Sequence, residues 1–269
     1  MASRVVLITG ANRGLGRRTV ERLLLESSDC RVLMTARSAE EGAKAYSEIQ
    51  ALGDFQTRLL FHPLDIHSAA SVSQLKDYVS STVGVVDVLV NNAGIYWKGH
   101  DMDPEAARQT IGVNFTATVD LAEAMLPVIR PGGHIIMVSS RLGQLRTVPG
   151  EAARGRLVGA SLRVQDIRAL AQEYVSSVED GTADAKGWPK DAYLASKNFL
   201  NAYVRVRASE LQQQHIRLNA LCPGWVRTDM GGPNGMLSLD EGTETHLKLI
   251  RDLSTSTGEF WYEGHVGEW

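Results

Sequence analysis

Tyr193 and Lys197 stand four positions apart in Tyr-Leu-Ala-Ser-Lys. In a helix that spacing puts both side chains on one face. The phase is supported by Ala195, Phe199, Ala202 and Val206, which form an apolar stripe beside them. An ammonium next to a phenol favours the phenolate and lowers its pKa from about 10. A tyrosine tuned in this way can hand a proton to a developing alkoxide near neutral pH. By itself the pair is a common accident of surface helices, so its meaning depends on what surrounds it.

A second group of residues suits a phosphate. Thr9-Gly10-Ala11-Asn12-Arg13-Gly14-Leu15-Gly16 joins an apolar run to a helical pattern. Glycines at these offsets let the backbone turn sharply and approach a pyrophosphate, and the helix N-terminus adds free N–H groups. Placed between a first strand and a first helix, the turn implies a dinucleotide site. The second strand ends Thr35-Ala36-Arg37, with alanine where a carboxylate for ribose hydroxyls is usual. Arg13 and Arg37 together suit a 2′-phosphate, which a carboxylate would repel, so the expected cofactor is NADPH/NADP+. The plain alternative is that Arg37 pairs with Glu40 or Glu41.

The elements that must position these groups follow from apolar periodicity. Val5–Thr9, Val32–Thr35, Leu59–Pro63, Val86–Val90, Ile135–Val138 and Ile216–Leu221 read as strands, with Phe260–Tyr262 as a short last one. Helical patterns lie between them, such as Val20, Leu23 and Leu24, or Val72, Leu75 and Val79. Strict alternation implies βαβ units, hence a doubly wound parallel α/β sheet of Rossmann type, three layers deep, in one domain over 1–269. Asn91-Asn92-Ala93-Gly94, Asn114, Ser139-Ser140 and Pro223-Gly224 then collect on one edge, where such sheets bind ligands. One region breaks the rhythm: about 143–190 is a helical insertion before Tyr193. Its helix carries Ile167, Leu170, Tyr174 and Val178 on one stripe and stops at Glu179-Asp180-Gly181.

Composition removes other classes. The chain has 269 residues, 28 basic and 31 acidic, for a net charge of −3. Near balance argues against nucleic acid or an anionic membrane as partner. No apolar run approaches the ~18 residues of a membrane span. Met1-Ala2-Ser3-Arg4 leads straight into Val5, so no signal-peptide core is expected. Cys30 and Cys222 cannot build a disulfide framework or a metal cage, and read as buried thiols in a reducing, cytoplasmic setting.

Taken together, Thr9-Gly10-x-x-x-Gly14-x-Gly16, Asn91-Asn92-Ala93-Gly94, Asn114, Ser140, Tyr193-x-x-x-Lys197 and Pro223-Gly224 resemble the short-chain dehydrogenase/reductase family over essentially the whole chain. Within it the sequence looks most like the monomeric NADPH-dependent carbonyl reductases. Asn92-Ala93-Gly94-Ile95, the long segment before Tyr193, Gly187-Trp188-Pro189, Cys222 through Met230 and the Gly264–Trp269 tail carry that closer likeness.

The resemblance implies roles. Ser140 bonds the substrate carbonyl oxygen, Tyr193 protonates it, Lys197 tunes the tyrosine and holds the ribose, and Asn114 anchors a relay water. Asp65 and Ile66 meet adenine; Val226 and Thr228 hold the carboxamide. Gly10, Asn12, Arg13, Gly14, Leu15, Gly16, Arg37, Asn91, Ala93 and Gly94 complete the cofactor set. Leu142, Trp225 and Met230, the last two on a substrate loop of about 225–245, join Ser140 on the substrate side, and Tyr96 and Trp97 are candidates for the same wall.

The implied activity is NADPH-dependent reduction of ketones, aldehydes or quinones. The alternatives are NADP-dependent oxidation of a terpenoid or steroid alcohol, and a dinucleotide sensor without turnover. Ser139 is expected to pack or cap. Arg141, beside the serine, is a cation close to the substrate side. The insertion should cover the face through which family members usually dimerise and form one wall of the substrate cleft, giving a monomer whose partner is a small carbonyl compound.

Overall fold

Every second residue of β1 (Arg4–Ile8) faces the opposite side of one central sheet, and both sides are apolar. Val5 and Leu7 belong to one buried cluster, Val6 and Ile8 to another. Continuous β-branched and leucine runs form such strands because both faces are covered. The computed structural model describes residues 4–252 and 254–269. Met1, Ala2 and Ser3, where no leader is expected, lie outside the described residues.

The other strands are β2 (Cys30–Ala36), β3 (Leu59–Pro63), β4 (Val86–Asn91), β5 (Ile129–Val138), β6 (Arg217–Cys222), β7 (Phe260–Tyr262) and β8 (His265–Gly267). The helices are α1 (Gly14–Glu26), α2 (Ala39–Gln50), α3 (Ala69–Tyr78), α4 (Pro104–Ile111), α5 (Thr118–Met125), α6 (Glu151–Val158), α7 (Val164–Glu179), α8 (Ala192–Gln213) and α9 (Leu239–Arg251). The sheet order is β3-β2-β1-β4-β5-β6-β7-β8. All neighbours are parallel except β7 and β8. Apolar residues of α1, α2 and α9 cover one face; those of α3, α4, α5 and α8 cover the other. The expected three-layer doubly wound sheet is therefore present. Its order reverses between β1 and β4, which opens a crevice at their carboxyl ends.

The seven expected strands all form. The eighth, β8, is too short to show a period and pairs antiparallel with β7 through Trp261 and Val266. The insertion holds two helices, α6 and α7, where one was expected. Ile167, Leu170, Tyr174 and Val178 of α7 are all buried in the cluster shared with α4 and α8. Gly181, with φ +69°, ends the segment as the sequence suggests. No described helix is long and apolar enough to cross a membrane.

Candidate active site

The glycine turn begins where β1 ends, and the end of β4 ties it down. The Thr9 hydroxyl accepts from the backbone N–H groups of Asn92 and Ala93, both at 2.9 Å. The Asn92 amide donates to the carbonyls of Thr9 (2.8 Å) and Gly10 (3.2 Å). Gly16 must be glycine here, because a Cβ would stand 2.5 Å from the Asn92 amide nitrogen and 2.6 Å from the Gly10 carbonyl oxygen. α1 then starts with no side-chain cap and no acidic residue in its first turn. Ser38, Ser68, Asp103, Asp191 and Ser238 each cap another helix. The first N–H groups of α1 are thus left to an anion.

The crevice encloses about 380 Å³. From the expected cofactor set, Gly10, Asn12, Arg13, Gly14, Leu15, Arg37, Asp65, Ile66, Ala93, Gly94, Tyr193, Lys197 and Thr228 line it. Arg37 is exposed at its rim and makes no ion pair among the described residues. Its alternative partner Glu41 instead accepts from the Asn12 amide at 3.2 Å. Arg13 reaches across to Asp229 at 3.1 Å, both side chains well exposed. These features fit a phosphorylated dinucleotide: unbonded helix N–H groups for the pyrophosphate and a free guanidinium for a further phosphate.

Three expected cofactor residues sit elsewhere. Gly16 packs beneath the turn. Asn91 is buried at the end of β4, one residue out of phase with the cleft, and Asn92 lines the cleft in its place. Adjacent strand residues face opposite ways, so only one of the two asparagines can reach it. Val226 is buried under the following loop, bridged to Leu237 and packed towards Leu15 and Gly242. Conversely, Ser38, Glu41, His67, Val113 and Asp229 line the cleft without having been singled out for it. Apart from Asp229, which falls within the Cys222–Met230 stretch, no motif marks them; the ends of β2 and β3 and the π-turn that holds Val113 meet at the crevice only in the folded chain.

At the inner end stand the candidate catalytic groups. Ser139 is buried and donates to the Asn201 side chain at 2.6 Å, so it is a packing residue as expected. Ser140 follows β5, half-buried and just beyond the residues that line the crevice; its hydroxyl accepts from the Leu142 N–H at 3.1 Å and lies close enough to Tyr193 to lower its phenol. Tyr193 is half-buried on the crevice wall, and desolvation pushes its phenol well up, with the Cys222 thiol adding to the effect and Ser140 opposing it. Burial pushes the Lys197 ammonium down to about 8. Lys197 Nζ donates to the Val138 carbonyl at 2.8 Å and lies 5.5 Å from the Tyr193 ring centre. The expected lowering of the phenol by Lys197 is therefore absent here: desolvation outweighs a cation committed to a carbonyl.

Asn114 interrupts the helix path. α4 widens into a π-turn over Gly112–Ala117 before α5 begins. Such widenings gather at functional sites. The Asn114 amide donates to the Ile95 carbonyl (2.9 Å) and to Ser196 (3.2 Å), and its oxygen accepts the Ile95 N–H at 2.8 Å. Both ends of the amide are thus committed. A relay water at Asn114 would have to use its backbone.

On the substrate side, Met230 lines the crevice, whereas Leu142 and Trp225 do not; all three are exposed, as are Trp97 and Met236. The substrate loop is internally bonded rather than slack. Trp225 Nε1 donates to the Gly231 carbonyl at 2.9 Å, and the Arg227 guanidinium donates to the Gly235 carbonyl at 3.1 Å. Arg141 lies over the Tyr262 ring and 3.8 Å from Glu263. No residue from 145–190 lines the cleft, so the insertion is not a cleft wall of this crevice.

Residues 4–153 match a family model described as short chain dehydrogenase. Residues 175–254 match one described as enoyl-(acyl carrier protein) reductase. The gap between the two falls inside the insertion. Along 276 aligned residues the chain is 37% identical to the NADPH carbonyl reductase 1 of Bos taurus, covering 98% of each. Salutaridine reductase from Papaver somniferum superposes with a TM-score of 0.86 at 25% identity, over 96% of this chain and 99% of that one. Menthone neomenthol reductase from Mentha piperita shares the fold, with a TM-score of 0.84 at 24% identity over 98% and 99%. A family model spanning more than half the sequence, and a relative matched along almost its full length, agree with the geometry of the crevice: the chain belongs to the short-chain dehydrogenase/reductase family.

Proposed function

We propose that this protein reduces the carbonyl group of a ketone, aldehyde or quinone to an alcohol, using NADPH and taking the proton from Tyr193. The observation that carries the reading is the crevice itself. It has unbonded N–H groups and a free Arg37 at one end, and Tyr193 at the other with Ser140 beside it. Bound there, NADPH supplies the hydride. Ser140 and Tyr193 present hydroxyl donors to the oxygen on which negative charge grows, and such preorganised donors are usually the largest catalytic contribution. Burial keeps Tyr193 protonated at neutral pH, so the proton is available when the alkoxide forms. Lys197 is the group placed to restore charge balance once that proton has left. Relatives named NADPH carbonyl reductase support both the cofactor and the direction.

The exposed Met230 on the crevice wall, with Leu142 and Trp225 exposed near Ser140 and Met230 in sequence, favours an apolar substrate. The intact Ser140, Tyr193 and Lys197 set weighs against a sensor that has lost turnover. We read the protein as a monomer, on the burial of α7 against α4 and α8, and as a resident of a reducing compartment such as the cytoplasm, on its two free buried thiols. Steady-state oxidation of NADPH against a panel of quinones, ketones and aldehydes tests the proposal. Turnover with several carbonyls and a marked preference over NADH is expected. Absence of turnover on the whole panel, or equal use of NADH, overturns it.

A further inference from the structure

Tyr193 sits inside a closed ring of hydrogen bonds and contacts that passes through residues with no assigned role. The Asp191 carboxylate caps α8: one oxygen accepts the Tyr193 backbone N–H at 2.7 Å. Its other oxygen accepts the Tyr96 hydroxyl at 3.1 Å. The Tyr96 ring lies against the Tyr193 ring, centroids 4.8 Å apart and planes inclined by 42°. Its chain neighbour Ile95 is clamped by the Asn114 amide, which also donates to Ser196. The Ser196 hydroxyl closes the circuit by donating to the Tyr193 carbonyl at 2.7 Å. The loop after β4, the π-turn and the first turn of α8 are thereby locked around one phenol.

We infer that Tyr96 and Asp191 are a positioning pair for Tyr193, the carboxylate fixing the backbone that carries the proton donor and the second phenol fixing its ring. The inference rests on Tyr193 being that donor. A general acid works only within hydrogen-bond reach of the oxygen it protonates. A phenol turns about two side-chain bonds, so its oxygen swings widely unless the ring is braced. Misplacement by about 1 Å can cost on the order of 100-fold in rate. Tyr96 braces one side of the ring, and Asp191 keeps Tyr96 from swinging away.

The carboxylate has a second effect. Its negative charge lies close enough to raise the Tyr193 phenol further. The other groups facing Tyr193 are Lys197 on α8, Cys222 at the end of β6, Ser140 after β5 and Tyr96 itself. Asp191 is in turn raised chiefly by burial, with Asp101 of the β4 loop adding to it. Tyr174 of α7 also feels the Asp191 charge. Asp191 thus helps to keep the donor protonated as well as aimed.

Tyr96→Phe keeps the ring contact and removes the bond to Asp191. Tyr96→Ala removes both. Asp191→Asn keeps a capping oxygen for α8 and removes the charge. With a ketone substrate, kcat should fall by about 3-fold in Tyr96→Phe and about 10-fold or more in Tyr96→Ala, a graded loss set by misplacement. The dissociation constant for NADPH should stay within about twofold, because neither Tyr96 nor Asp191 lines the cofactor crevice. In Asp191→Asn the alkaline limb of the kcat profile should move to lower pH, since a neutral neighbour no longer raises the phenol. A purely structural role would lower stability without moving that limb. Wild-type kcat in both Tyr96 variants, or an unmoved alkaline limb in Asp191→Asn, overturns the pair. Tyr193→Phe, run beside them, separates the two readings: if it is inactive while the others behave as wild type, only the positioning pair fails; if it turns over normally, the proton-donor reading itself fails.

Discussion

Arg37 is a free guanidinium at the rim of a crevice where a second guanidinium, Arg13, is shared with Asp229. A phosphate entering there meets one unencumbered positive group and one that must give up a solvent-screened partner. Arg37 is therefore expected to carry the larger share of the discrimination between NADPH and NADH. Arg37→Asp removes one charge-assisted contact and adds repulsion, so NADPH binding should weaken by about 10- to 100-fold while NADH binding holds. Titration by cofactor fluorescence reads both constants, and an equal loss for the two cofactors would contradict the assignment. At the other end, Tyr193→Phe deletes one oxygen and keeps the ring. Turnover should drop by about 100-fold or more with NADPH affinity preserved. Lys197→Ala should lower turnover and also raise the NADPH constant, because Lys197 lines the cofactor crevice. A Tyr193→Phe enzyme with normal kcat would move the proton donor elsewhere.

The insertion is closed at its neck by two glycines. Gly150 N–H donates to the Gly187 carbonyl at 3.0 Å, and the two backbones touch. A Cβ on Gly187 would stand 2.5 Å from the Gly150 Cα, at a φ of +76° that side chains rarely adopt. Next to it Trp188 is buried against Phe199 of α8 and edge-on to Tyr174 of α7. The neck, the tryptophan and α7 thus form one anchored unit. Gly187→Ala combines a backbone clash with conformational strain, and should cost about 1–3 kcal/mol. Urea unfolding followed by tryptophan fluorescence would register this as a lower midpoint, and an unchanged midpoint would mean that the neck does not hold the insertion down. None of this was readable from Gly187-Trp188-Pro189 alone, because the contact partner lies 37 positions upstream in the chain. The stripe on α7 was readable, since a 3.6-residue period shows in any helix with one buried face.

Across the whole molecule, α7 packs against α4 and α8, and the covering of α8 is what the monomer proposal rests on. Light scattering at micromolar concentration should give a mass near 29.4 kDa. Twice that value, persisting on dilution, would show that the insertion leaves an interface open. A second global property comes from two fully buried histidines, His134 on β5 and His246 on α9. Burial lowers His134 to about 3 and His246 to about 4. His134 Nε2 faces the Asn219 amide at 3.0 Å and Nδ1 faces the Leu249 carbonyl at 3.2 Å, so the neutral ring is already satisfied. In the unfolded chain both titrate near 6.5, so below that pH the unfolded state binds more protons. Stability should be full above about pH 6.5 and decline as pH falls towards 4, by about 1.4 kcal/mol per pH unit for each histidine. Urea midpoints at pH 7.5 and 5 would measure the slope. His246→Gln should flatten it by about one proton, and an identical slope in that variant would place the acid sensitivity elsewhere.

The sequence by itself determined the strands, their parallel order of use, the glycine turn and the Tyr193–Lys197 face, because each depends on neighbours within a few residues or on a strict period. The seven strands and the cofactor cleft follow from those local rules. Tertiary structure decided what depends on phase and on distant partners. Asn92 rather than Asn91 reached the crevice, since the pleat sends adjacent residues to opposite faces. Val226 turned inward to pack near Leu15, over 200 positions away in sequence. Lys197 bonded a carbonyl, and burial, not its charge, governs the phenol of Tyr193. Pairings such as Tyr96 with Asp191 leave no trace in spacing. They arise only when the loop after β4 and the start of α8 meet at one sheet edge, where partial burial strengthens each contact.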